Sequence, residues 1–227
     1  MKFSHILLGF VFIIFASCNS ESSTGNSDTS TTDKTKTNVA EPVGNIGMPD
    51  GKYKLTKGAP NLSWFATKIN GSSHSGIIPT TKGGFKIENG IITSGSMSLD
   101  MNGFEVTDID GDSKANFDEH LKSEDFLDIK SYPTANIVFN NSTTSTDGTK
   151  QLHCTLDMHG VEVDYIIPFT LAKENIENGG YVYKITSKFY MDRTKHDIKY
   201  GSGSFFDNLG DRAINDDVLI SFVLLAQ

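Results

Sequence analysis

Apolar and polar residues alternate with period two through most of the chain after residue 50, a pattern that predicts half-buried β-strands. The longest run sets Val161, Val163, Tyr165, Ile167, Phe169 and Leu171 on one face, with Glu162, Asp164 and Thr170 on the other. Tyr181, Tyr183, Ile185, Phe189 and Met191 repeat the pattern against Lys184, Thr186 and Lys188. Asn178-Gly179-Gly180 lies between these runs, so an antiparallel hairpin is expected. Gly95, Met97, Leu99 and Met101 form an inward row after an Asn89-Gly90 turn, and Ala135, Ile137 and Phe139 form another before Asp147-Gly148. Leu152, Cys154, Leu156 and Met158 follow, and Val218, Ile220, Phe222 and Leu224 close the chain. With 53–57, 61–69 and 84–87 added, the prediction is eight or nine strands. The rhythm breaks over 113–127, where Phe117 and Leu121 stand at helical i,i+4 spacing and Ser123 can cap a second short turn. The expected fold class is all-β: an antiparallel barrel of about eight strands with one or two short helices, closed so that no edge is exposed. A two-layer sandwich with a solid core would show the same periodicity.

The N-terminal residues 1–17 follow another logic. Lys2 precedes an apolar run from Ile6 to Phe15, too short to span a bilayer comfortably, and the small residues Ala16 and Ser17 lead to Cys18. The segment resembles a bacterial lipoprotein signal, with Phe15 where leucine is usual. That resemblance implies cleavage before Cys18, lipidation of Cys18 and a membrane anchor made of acyl chains. An ordinary secretory signal is the alternative. Asn19 rather than aspartate after Cys18 favours the outer membrane by the same resemblance, so the expected location is the bacterial cell envelope, lipid-anchored, with the outer membrane or periplasm favoured. Residues 18–50 then read as a lipidated cysteine and a polar tether with too little apolar surface to offset the entropy of ordering. Residues 51–227 read as the folded domain.

Charge and chemistry narrow the function. Twenty basic against 28 acidic residues leave a net charge of −8, which lacks the cationic footprint of a nucleic-acid binder. Two cysteines allow no zinc ribbon, and Cys154, on an inward row, is expected as a buried free thiol. Asp108, Asp110, Asp112, Asn116 and Glu119 have the spacing of a calcium loop, but Ser113 stands where the sharp turn needs glycine, so a solvated acidic loop is the expectation. His74, His120, His153, His159 and His196 show no close ligand spacing, and no metal is expected. No nucleophile elbow or phosphate loop is present, so neither an enzyme nor a cofactor is indicated.

His120-Leu121-Lys122-Ser123 is followed by Asp125-Phe126 and Tyr132-Pro133; Asp157 to Val161, Asp192-Arg193-Thr194 and Gly201 to Phe206 come after it in order. This series, spread over Lys52 to Ala226, resembles YceI-like proteins. The resemblance implies a lipocalin-like antiparallel barrel, exported, whose apolar tunnel holds an isoprenoid or another long amphiphilic lipid without transforming it. On that reading the tunnel wall is expected from Trp64, Met97, Leu99, Phe139, Leu156, Phe169, Tyr183 and Phe189, with His120 and Arg193 at the mouth toward the head group. Tryptophan at Gly95 or Ala135 is expected to plug the tunnel. The rival reading is a surface interaction or scaffold module with a filled core and no lipid.

Overall fold

Alternating sequences of this kind bury one face only if the strands close on themselves or on a second sheet. A computed structural model of the protein describes residues 44–56, 61–177 and 179–227. Its strands are β1 (Gly51–Lys54), β2 (Leu62–Thr67), β3 (Ser73–Ile78), β4 (Thr80–Glu88), β5 (Ile91–Asp100), β6 (Glu105–Val106), β7 (Thr134–Thr144), β8 (Lys150–Met158), β9 (Val161–Asn175), β10 (Tyr181–Asp192) and β11 (Asp217–Ala226). They form one sheet of order β1-β4-β5-β7-β8-β9-β10-β11-β2-β3-β6, antiparallel at every pairing.

Eleven strands stand where about eight were expected, because three runs are broken in two. β1 and β2 both lie along β11, through Leu55 opposite Ala226 and Phe65 opposite Leu219. β3 and β4 meet at Pro79, which has no N–H to give a ladder. β5 and β6 are separated by a single 3-10 turn, Met101–Gly103. The ring closes where Lys54 N donates to Gln227 O (3.1 Å) and Thr56 N to Leu225 O (2.8 Å). The result is an eight-run lipocalin-like barrel, as the family resemblance implies.

Inward rows match the expected alternation closely. In β8 every second residue from Leu152 to Met158 is buried, and in β11 every second residue from Val218 to Ala226. Tyr181 is a correction: it is exposed, with Lys173 Nζ 3.7 Å above its ring. The Asn89-Gly90 turn has φ of 55° and 75°, the left-handed pair that a two-residue hairpin between twisted strands requires.

A single α-helix, α1 (Gly111–Lys122), is formed among the described residues. Asp112 in its first turn and His120 and Lys122 in its last suit the helix dipole. Ser123 does not begin a second helix; its Oγ donates to His120 O and ends the first.

The folded part begins before residue 51. Ile46 and Met48 are buried in the core, Ile46 N donates to Gly90 O, and the Asp50 carboxylate accepts from Asn89 N and Gly90 N. The chain joins the core earlier than the expected boundary at residue 51, because two apolar residues in a polar segment make no periodic signal. The expected signal segment and Cys18, with the remaining residues to 43 expected to form a tether, lie outside the described residues. No helix among the described residues is long and apolar enough to cross a membrane.

Candidate functional site

The barrel is filled at one end and hollow at the other. Toward the turn that joins β4 and β5, Tyr53 stacks on Phe85 (5.4 Å) and meets Tyr183 edge-on (5.7 Å), above Ile46, Ile87 and Ile92. Toward α1, a cavity of about 700 Å³ opens between the strand ends and the helix. Its wall comes from residues near strand termini: Trp64 on β2, Ile78 on β3, Met158 on β8, Met191 on β10, and Val218 and Ile220 on β11. Phe117 and Leu121 of α1, at the spacing read from the sequence, form its roof with Phe126.

Of the ten expected lipid contacts, Trp64, His120 and Arg193 line this cavity. Met97, Leu99, Phe139, Leu156, Phe169, Tyr183 and Phe189 are buried as expected but pack in the core instead of lining the cavity. Strand periodicity tells which face points inward and carries no information about height along the barrel axis. Gly95 and Ala135, the expected plug positions, likewise do not line this cavity. A Cβ on Gly95 would come within 2.7 Å of Gly84 O, Phe85 Cβ and the Phe139 ring, in the filled part.

The lid is pinned by specific polar contacts. Asp118 Oδ1 accepts from Val106 N (2.7 Å), Lys114 Nζ donates to Asp118 (2.6 Å) and to Glu105 (3.2 Å), and Lys122 Nζ donates to Asn102 O (3.1 Å). On the rim, His74 Nδ1 lies 3.2 Å from Asp108 and its ring 4.5 Å from Phe117. His120 stands edge-on to Tyr200 (5.0 Å) and Phe126 (5.3 Å), with Asp125 at 3.6 Å. The acids with calcium-loop spacing are therefore spread along a helix and its approach instead of wrapping one point, and no group of three or more possible metal ligands occurs among the described residues.

Arg193 corrects the sequence reading most clearly. It is 4% exposed, and its five N–H groups are all engaged. Nε donates to Asn215 O, Nη1 to Ile198 O and Tyr200 O, and Nη2 to Ile214 O and Asp216 Oδ1. A guanidinium has five N–H donors, so none remains for a head group. Burial pulls its pKa below the ordinary value, although Asp216 and Asp192 oppose that shift. Its role is to sew the segment Ile198–Asp216, which supplies much of the cavity rim, to the end of β10.

His196 is fully buried and also structural: Nδ1 donates to Val161 O (2.9 Å), which leaves Nε2 to accept from the Tyr165 hydroxyl (3.1 Å). Trp64 stacks on Phe104 (5.1 Å) and lies over Gly76, where a Cβ would fall 2.5 Å from the ring. The sequence reading missed the rim cations Lys68 and Arg212, which line the cavity. Arg212 was visible as the second of two arginines, but Gly210-Asp211-Arg212 belongs to no motif.

Solved structures share the fold. Burkholderia cenocepacia BcnA is 18% identical with a TM-score of 0.57, over 77% of this chain and 96% of its own. A polyisoprenoid binding domain from Saccharophagus degradans implicated in plant cell wall breakdown is 14% identical with a TM-score of 0.51, over 77% of this chain and 97% of its own. No curated protein matches the chain. The model of the YceI-like domain matches residues 32–226, and the chain belongs to the YceI-like family.

Proposed function

We propose that the protein binds an amphiphilic lipid, an isoprenoid or a chain of similar girth, in the cavity beneath α1. In this reading it is a lipid-anchored protein of the bacterial cell envelope, held through Cys18, and it carries its ligand without transforming it. The observation that carries the reading is the cavity itself. Its volume of about 700 Å³ falls in the range of ligand pockets, and its wall is mostly aliphatic, aromatic and methionine side chains. Flexible methionines such as Met158 and Met191 can repack around a chain of varied shape. Family membership supports binding over catalysis, and a structural neighbour is a polyisoprenoid binding domain. The anchor rests on the run from Ile6 to Ser17 before Cys18.

Native mass spectrometry of the full chain, purified in mild detergent, tests the binding. A bound mass in the lipid range is expected, lost when Ala66 on the cavity wall is replaced by phenylalanine. A protein that carries no lipid and takes up none from a polyprenol solution would overturn the reading and leave the scaffold alternative. Metabolic labelling with a fatty acid tests the anchor, with Cys18→Ser expected to abolish the label.

A further inference from the structure

We infer that the ligand's polar end is an anion, a carboxylate or a phosphate, held at the cavity mouth by Lys68 and Arg212. This rests on the lipid-binding reading above and names the head group that site would select.

The charges on the wall are uneven. Lys68, Arg193 and Arg212 line the cavity against one carboxylate, Asp207, in a chain whose net charge is −8. Arg193 is spent on backbone carbonyls. Three other cations near the lid have partners: Lys114 with Glu105 and Asp118, Lys199 with Asp197, and Lys122 with a carbonyl. Lys68 and Arg212 differ. Neither side chain has an ion pair or a hydrogen bond among the described residues.

The fold brings these two cations to one place. Lys68, just past the end of β2, bridges Ile214, and Ile69 N donates to Ala213 O (3.0 Å). On the other side Asn215 N donates to Thr67 O (2.9 Å), and Asn215 Nδ2 donates to Thr67 Oγ1 (2.7 Å). The short ladder fixes the stem of Lys68 beside the turn that carries Arg212. The nearby histidines do not compete for the same anion, since His74 faces Asp108 and His120 faces Asp125.

Two free cations at the edge of an apolar cavity attract a negative group more strongly than they would in open water, because the wall lowers the local dielectric. The guanidinium fork of Arg212 matches a carboxylate or phosphate with two parallel hydrogen bonds, and Lys68 adds a point charge. A neutral head, such as a quinone carbonyl or an alcohol, gains only a hydrogen bond there. A cationic head is repelled.

The test holds the tail constant and varies the head. Binding of palmitate, hexadecanol and hexadecyltrimethylammonium to the full chain is measured below their micelle concentrations, with farnesyl phosphate as a fourth probe. Palmitate is expected to bind roughly tenfold more tightly than hexadecanol, the factor carried by one charge-assisted hydrogen bond, and the ammonium probe more weakly than either. The ratio of palmitate to hexadecanol affinity should fall toward one in the double variant Lys68→Ala, Arg212→Ala and should survive in Lys68→Arg. Comparing farnesyl phosphate with palmitate assigns the head to the phosphate or the carboxylate class. Equal binding of palmitate and hexadecanol by the wild type, or an unchanged ratio in the double variant, would overturn the anionic head while leaving lipid binding intact. Failure of all four probes to bind would overturn the lipid-binding reading itself.

Discussion

Replacing Arg193 separates a structural guanidinium from one that meets a ligand. In Arg193→Met the aliphatic stem is kept, but the carbonyls of Ile198, Tyr200, Ile214 and Asn215 lose their donor together, and Asp216 loses its cation. Removing one partner of a buried hydrogen-bonded charge network costs about 3–5 kcal/mol. For a domain of this size each kcal/mol lowers the melting temperature by about 2–4 °C, so a drop of roughly 6–20 °C is expected. Arg193→Lys offers three donors without the planar fork, so it should recover only part of that loss. Thermal melts followed by circular dichroism give the shift, and native mass spectrometry on the same samples gives the lipid load. Because the guanidinium ties down the Ile198–Asp216 segment, stability and lipid load should fall together, with lysine between methionine and wild type. An Arg193→Met protein that melts within about 2 °C of wild type but carries no lipid would refute this reasoning and return Arg193 to the head group.

Gly95→Ala should destabilise by about 1–3 kcal/mol without reducing lipid affinity, because its Cβ meets backbone and the Phe139 ring in the filled end; loss of lipid at unchanged melting temperature would contradict the assignment. His196 is held neutral, its pKa lowered by burial against the pull of Val161 O and of Asp157 and Asp192. The unfolded chain therefore takes this proton first, and stability should fall as pH drops from about 6.5 toward the folded pKa, with a slope of at most about 1.4 kcal/mol per pH unit. Denaturant melts of wild type and His196→Phe across that window should converge as pH falls; parallel curves would refute it. Burial, aided by Asp164, pushes the Cys154 thiol up to about 12, so in a Cys18→Ser background a disulfide reagent should leave it unmodified until denaturant is added.

Much of the architecture was legible because strand periodicity and glycine turns act locally. The β9–β10 pair follows from alternation around Gly179-Gly180, and the structure pairs Asn175 with Tyr181 as that turn demands. Phe117 and Leu121 were likewise found by spacing and do share the helix face that roofs the cavity. The misses have one physical origin: they depend on position along the barrel axis or on distant partners. Met97 and Met158 are both inward methionines, yet Met97 packs in the core while Met158 borders the void. Arg193 read as a free cation because the carbonyls that consume it lie 5 to 22 residues away. Ile46 and Met48 looked like part of the tether because nothing in their neighbourhood shows that a barrel end needs closing.

A barrel that must both persist and hold a ligand faces conflicting demands, since a void lined with apolar groups forfeits the dispersion contacts that packing would supply. This protein separates the two along its axis. Tyr53, Phe85, Phe139 and Phe222 close-pack the far end, with Ile46 and Met48 drawn into the same core from the segment before β1. The near end leaves its strand termini apart and is covered by α1, whose own sequence is mostly polar apart from Phe117 and Leu121. A helix with two apolar anchors is held weakly by burial alone, which explains why Lys114, Asp118 and Lys122 also fasten it to β6 and the Met101–Gly103 turn. Those fastenings are polar and partly exposed, so each contributes modestly and can be released singly. The stability that tolerates a void at one end thus comes from residues at the other, such as Tyr53, Phe85 and Phe139, that do not line the cavity.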